Sequence, residues 1–295
     1  MIKHFFCKLV LFAYAFLTIY EGSLGAYQIL RYNFSKAPLD VVILSTYKDM
    51  ETLEMCIAGV KEYCANVRRI IVISPERMTD EAEWFEESAY PFTKGDIALA
   101  LLRGKLEKSK EYMKKPGSRI GWYYQQLLKL YAPFTVPGIS PNILVVDSDT
   151  IFLQPVEFLS MAGGGMYNYS LEHHQPYFDH AAKLVPGFKR ALPKYSGITH
   201  HMVFQRCVLE DLFHIVESKH GMPFWKAFCK TVDPQQLDLS GASEYEIYFN
   251  FVFTRTAQVR IRALKWKNLD NLLEIFSSRK AGYQYVSCHS FLRKP

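Results

Sequence analysis

The stretch Asn142-Ile-Leu-Val-Val-Asp-Ser-Asp149 constrains this chain more than any other. Ile143 to Val146 read as a strand buried on both faces, as in a parallel sheet covered by helices. That strand stops on two carboxylates, Asp147 and Asp149, separated by one serine. Unpartnered buried charges are expensive, so the pair belongs at the strand's open end. Aspartates at i and i+2 can converge on one hard divalent cation, which prefers oxygen ligands. The carboxyl ends of strands in an open α/β sheet are also where such folds bind nucleotides. The alternative is a turn in which Asp and Ser bond to nearby backbone amides. The apolar exit, Ile151-Phe-Leu153, favours the cation.

The flanking sequence supplies the rest of an α/β fold. Asp40–Thr46 reads as a first buried strand, and Asp49–Cys64 as an amphipathic helix with Leu53, Ile57, Val60 and Cys64 on its apolar side. Val67–Ile73 follows as a second strand, stopped by Ser74-Pro75. This β-α-β order predicts a right-handed parallel unit. Further helices are expected at 96–112, at 121–131 (closed by Pro133), and at 208–219, 223–232, 243–255 and 269–278. Short strands are expected at 166–169 and 285–287, and an apolar strand follows His200-His201. Residues 38–295 read as one catalytic domain, and 1–37 as a signal anchor or signal peptide plus connector. Lys3 and Lys8 flank an apolar run from Leu9 to Tyr20, short for a span but suited to a signal core; an amphipathic helix lying on a membrane surface is the alternative. Those features point to a membrane-associated or secretory-pathway protein, or a cytoplasmic one peripheral to a membrane.

Composition excludes more than it identifies. A net charge of +6 suits an anionic ligand or membrane surface, but it is too scattered for a nucleic-acid face. The 6 cysteines form no CxxC pair and argue against a zinc site or disulfide framework. Cys56 and Cys64 are expected to be buried thiols.

Five places together resemble the GT-A superfamily of nucleotide-sugar glycosyltransferases, and most closely an uncharacterised glycosyltransferase-like family. They are Tyr47-Lys-Asp49 after the first strand, Ile73-Ser-Pro-Glu76, Gly121-Trp-Tyr-Tyr-Gln-Gln126, Asp147-Ser-Asp149 (a D-x-D) and Ser243-Glu-Tyr-Glu-Ile-Tyr248. The resemblance covers roughly residues 38–292. It implies a Rossmann-type three-layer α/β/α fold with a mixed, mainly parallel sheet. It also implies Mn²⁺ or Mg²⁺ bridging the diphosphate of a nucleotide-sugar donor, with a glycan, glycolipid or glycoprotein as acceptor and no nucleic acid.

Asp149 is the first candidate metal ligand. Asp147 would share the cation or bind the ribose. His289 is a third candidate, because glycogenin-like enzymes carry a metal-binding His followed by a diphosphate-binding Lys, here Lys294. The spacing differs by one residue, and Phe291-Leu292 replaces the glycine of that pattern. Thr46, Tyr47 and Asp49 stand where base and ribose would lie, Asp49 doubling as a helix N-cap. Arg119 and Gln126 are candidates for sugar or phosphate. Glu244 and Glu246, in the first turn of a helix, satisfy the helix dipole or supply a general base. One of His200 and His201 can line the pocket, since neighbours on a strand face opposite sides. Two alternatives stand beside the transferase: a GT-A-like domain that binds glycans or partners without turnover, and a haloacid-dehalogenase-type phosphatase. The latter has Thr or Val two residues after the second Asp, where this chain has Ile151.

Overall fold

The computed structural model describes residues 29–289. Its centre is a five-stranded sheet of β1 (Leu39–Leu44), β2 (Val67–Ser74), β3 (Glu83–Glu86), β4 (Asn142–Asp147) and β7 (His201–Gln205), in the order β3-β2-β1-β4-β7. Every pairing is parallel except β4 with β7. The fold is therefore mixed α/β with a mainly parallel sheet. β1 is buried along its whole length and β4 as far as Val146, the signature of strands covered on both faces. Register places Leu44 opposite Asp147, so β1 and β4 end level.

Helix α1 (Met50–Tyr63) makes the crossover from β1 to β2. It approaches β5 (Thr150–Phe152) so closely at Gly59 that an added Cβ would lie 2.8 Å from the Phe152 carbonyl oxygen. Cys56 and Cys64 are buried and unbridged, and burial pushes both thiols up. The helix expected over 96–112 is instead two, α2 (Lys94–Leu101) and α3 (Leu106–Lys114). Between them Arg103 and Gly104 take positive φ, 56° and 81°, which ends a helix. The next helix, α4 (Ile120–Thr135), runs through Pro133 rather than closing there. The ring sits in the last turn, where few backbone bonds depend on it.

Two small sheets complete the domain. β6 (Met166–Tyr167) pairs parallel with β8 (Arg260–Ile261). In the other, β5 pairs antiparallel with β10 (Tyr285–Ser287), which pairs parallel with β9 (Trp266–Asn268). The remaining helices are α5 (Gln175–Leu184), α6 (Arg206–His220), α7 (Phe224–Thr231), α8 (Glu244–Arg255) and the short α9 (Ile275–Lys280). Residues 29–37, read as connector, lie along the domain. Leu30 N–H donates to the Arg255 carbonyl, and Asn142 Nδ2 donates to the carbonyls of Ser35 and Ala37. The apolar segment 9–20 and Lys294 lie outside the described residues. Among those residues, no helix is long and apolar enough to cross a membrane.

Candidate active site

The turn after β4 sends its two aspartates to different partners. Asp147 Oδ1 accepts from Lys129 Nζ at 2.6 Å and from the Tyr245 hydroxyl at 3.1 Å. Lys129 comes from the middle of α4, is only 4% exposed, and also donates to Glu244 Oε1 at 2.7 Å. Burial alone would lower the lysine pKa. The two carboxylates outweigh it and hold the ammonium charged, well above its ordinary value. The Tyr245 ring lies 4.4 Å from the same ammonium, a cation–π contact.

Asp149 faces the small sheet. Its Oδ1 accepts from the Ser287 hydroxyl at 3.1 Å, and its Oδ2 lies 2.8 Å from His289 Nδ1. Cys288 N–H donates to the Asp149 carbonyl at 2.9 Å, so the end of β10 is tied to the D-S-D turn. Burial would raise the Asp149 pKa, but the hydrogen bond and charge of His289 bring it down to about 2. Burial likewise opposes the His289 charge and is outweighed by Asp149, so that pKa is raised.

His200 links the two halves. Its Nδ1 is 3.9 Å from Asp147 Oδ2, and its ring centroid is 4.8 Å from that of His289. Burial, reinforced by His289, lowers its pKa to about 4 and keeps it neutral at pH 7. His201 points the other way, among Phe152, Phe158 and Tyr285. Of the ten buried side-chain polar atoms without a hydrogen-bond partner among the described residues, His200 Nε2 lies in this cluster and Gln126 Nε2 on a residue bonded to Glu244; Ser45 Oγ lies just past β1. Others belong to Tyr90, His180 and Arg262, so such atoms do not by themselves single out the cluster.

The structure thus brings Asp147, Asp149, Glu244 and His289 into one connected cluster. It adds Lys129, His200, Tyr245 and Ser287, which the sequence did not single out as ligands. Of the other candidates, Gln126 is bonded to the cluster through Glu244. Tyr47 is 65% exposed at the end of β1, with Thr46 exposed beside it. Asp49 occupies the N-cap position of α1 but its side chain makes no capping bond; its Oδ2 lies 3.4 Å from the Thr46 hydroxyl, which donates to it. Gln126 Oε1 accepts from Glu244 N–H at 3.1 Å, fixing the start of α8. Arg119 donates to Ser240 Oγ and lies over the Trp122 ring. Ser243 caps α8 by accepting from Glu246 N–H. Glu246 faces away from Lys129, accepting from Gly197 N–H and Asn250 Nδ2. Burial pushes its pKa up to about 7 against those donors.

Among the described residues, no three His, Cys, Asp or Glu side chains group closely enough to hold a metal by themselves. The Asp149–His289 pair supplies two donors, one oxygen and one nitrogen. Divalent cations in phosphate-binding sites commonly take one or two protein ligands and complete their shell with phosphate oxygens and water.

The matching family spans residues 39–275 and is described as a family of unknown function, DUF6492. This chain belongs to DUF6492. No curated protein matches this DUF6492 chain. The crystal structure of mouse xyloside xylosyltransferase 1, apo form, is similar to it at 9% identity and a TM-score of 0.42, covering 88% of this chain and 99% of that one. So distant a likeness carries no argument; the fold of this DUF6492 member rests on its own strand order.

Proposed function

We propose that this DUF6492 chain is a cation-assisted glycosyltransferase, moving a sugar from a nucleotide-diphosphate donor to a glycan, lipid or protein acceptor. One observation carries the reading. Where β1 and β4 end level, Asp147 and Asp149 belong to one connected cluster with Lys129, Glu244, His200 and His289. That is where open α/β sheets take nucleotides. The oxygen-and-imidazole donor set fits Mn²⁺ better than Mg²⁺. Asp149 and His289 would hold the ion, and when bound it would supply Lewis-acid stabilisation of the departing diphosphate.

The chain's own residues account for binding and order. Tyr47, exposed at the end of β1, offers a stacking face for a base, and Thr46 and Asp49 offer polar atoms for the base or ribose. Lys129 holds Glu244 and Asp147 in fixed positions. Glu244 is the better placed of the two helix-start carboxylates, because Glu246 is turned toward Gly197 and Asn250. Glu244 is 3% exposed, and burial raises its pKa above the ordinary value although the Lys129 ammonium beside it pulls the other way.

The test is a panel of nucleotide sugars against the full chain with Mn²⁺ or EDTA, read by thermal shift and donor hydrolysis. One donor should give a Mn²⁺-dependent shift that disappears in Asp149→Ala. A folded protein that ignores every nucleotide sugar rules the transferase out. Phosphate release from simple phosphomonoesters would instead favour a phosphatase, and donor binding without turnover a binding domain.

A further inference from the structure

We infer that the cleft between α2 and α7 is a second binding site, built for an acidic saccharide. Its volume is about 560 Å³, within the range of small-ligand pockets, and it shares no lining residue with the Asp147–Asp149 cluster. Three cations line it: Arg103 from the turn that ends α2, and Lys226 and Lys230, about one helical turn apart on α7. None of the three makes an ion pair or a side-chain hydrogen bond among the described residues. Asp233, an acid that feels the Arg103 charge, already pairs with Lys183 at 3.4 Å. Three unpaired cations around one recess concentrate positive potential there, and an anion entering it relieves their mutual repulsion.

The rest of the lining says what the anion is attached to. Trp225 forms one wall. Its indole packs on Phe92, ring centroids 5.8 Å apart, and its backbone N–H donates to the Tyr131 hydroxyl at 3.0 Å, so the aromatic face is held in place. Leu99 and Ala100 add apolar surface. Among the described residues that line the cleft, Asp96 is the one acid, and no side chain is an amide or a hydroxyl. Asp96 Oδ2 accepts from the Thr93 N–H and hydroxyl at 2.9 and 2.7 Å, whereas its Oδ1 accepts from no group among the described residues. Those bonds from Thr93 hold the carboxyl below its ordinary range, so it stays ionised and able to accept. An aromatic face, a carboxylate acceptor and three cations together suit a ring that carries both hydroxyls and an acid group. A free phosphate would use the cations and leave the indole and Asp96 idle. A nucleotide base would find no amide or hydroxyl side chain to read its edge. Arg103 itself takes φ 56°, a left-handed backbone that Arg seldom adopts, and local costs of that kind gather where ligands bind.

The site is tested without donor or divalent cation, so its failure would leave the transferase reading standing. Three probes are titrated calorimetrically into the full chain in EDTA: a sulfated, uronate-containing tetrasaccharide, an uncharged tetrasaccharide and inorganic sulfate. The acidic tetrasaccharide should bind at least about tenfold more tightly than either of the others. Lys226→Gln combined with Lys230→Gln should weaken it by more than about tenfold and flatten its salt dependence. Arg103→Gly, which places at a left-handed position the residue that adopts it freely, should weaken it by about threefold or more. Trp225→Leu should weaken the saccharide and leave sulfate unchanged. Circular dichroism confirms that each variant is folded. A folded wild-type chain that ignores the acidic tetrasaccharide would overturn the inference, as would binding left unchanged by the lysine pair or by Arg103→Gly. Sulfate or the uncharged tetrasaccharide bound as tightly as the acidic one would overturn the assignment of the ligand.

Discussion

Two aspartates held by cations stand at opposite ends of the same sheet, and their surroundings differ in kind. Asp40, at the amino end of β1, is fully buried. It accepts from Arg68 Nε and Nη2 at 2.8 and 2.6 Å, from Arg69 Nε at 3.1 Å and from Ser140 N–H at 2.8 Å. Burial would raise its pKa, yet the arginines and the amide hold it below the ordinary value. Both arginines reach water, with side chains 46% and 24% exposed. At the carboxyl end of β4 the arrangement is reversed: the ammonium serving Asp147 is buried while the carboxylate is half-buried, its side chain 28% exposed. The Asp40 end is a closed joint that secures β1, β2 and the entry to β4. At the Asp147 end the carboxylate is the group that faces outward, as the proposed donor site requires. The difference between the two ends is which partner of the ion pair reaches water.

That contrast can be broken by substitution. The largest effect is expected for Lys129→Met, which strands Asp147 and Glu244 and should cost about 3–5 kcal/mol in urea unfolding. A loss under 1 kcal/mol would mean that the buried trio is not held as described. Asp40→Asn should cost about 1–3 kcal/mol, because its arginines can turn to solvent while the Ser140 amide loses its charged acceptor. Donor binding should be unaffected by that change, and a loss of binding would erase the distinction between the two ends.

Glu246 provides a third kind of buried carboxylate, bonded to neutral donors. Its folded-state pKa of about 7 lies above its ordinary value of 4.5. The native state therefore keeps a proton that the unfolded chain releases, and unfolding free energy falls as pH rises between those values. The stabilisation is complete below pH 4.5 and gone above pH 7. Urea midpoints of wild type and Glu246→Gln, compared at pH 5 and pH 8, should diverge with pH; parallel curves would show that Glu246 titrates normally. The smallest change is expected for Tyr47→Ala. Stability should stay within about 0.5 kcal/mol at so exposed a site. Nucleotide affinity should fall by about 1 kcal/mol if the ring stacks on a base, and unchanged affinity would remove Tyr47 from the donor site.

Much of the fold was legible because burial writes itself into the sequence. The run Ile143–Val146 gave β4, the β-α-β opening gave the parallel pairing of β1 with β2, and Tyr285–Ser287 is the observed β10. What escaped had no such signal. Glu83-Trp-Phe-Glu86 forms an edge strand that is mostly exposed, so it shows no apolar pattern. Helix α5 carries a histidine, His180, among its buried positions and a proline near its start, which blurs its period. In the site, Asp147, Asp149 and His289 could be read from residue type and place in the chain. Lys129 could not be read so directly, because on a helical projection it falls beside Gln125 and Gln126 and looks solvated. Its neighbours Leu127, Leu128, Leu130 and Tyr131 were the clue, since a lone lysine in a helix buried nearly all round must find anions inside. Which histidine of the His200-His201 pair faced the pocket depended on the antiparallel placement of β7, a tertiary fact.

The bond from Cys288 N–H to the Asp149 carbonyl has a consequence for how the molecule comes into being. All five strands of the main sheet are synthesised by Gln205, and Asp149 is in place long before His289 leaves the ribosome. During that interval the nascent chain has its carboxylates but lacks the imidazole that completes them. The cluster closes only when β10 docks on the D-S-D turn, so a chain cut short before residue 285 would lack the Asp149–His289 contact.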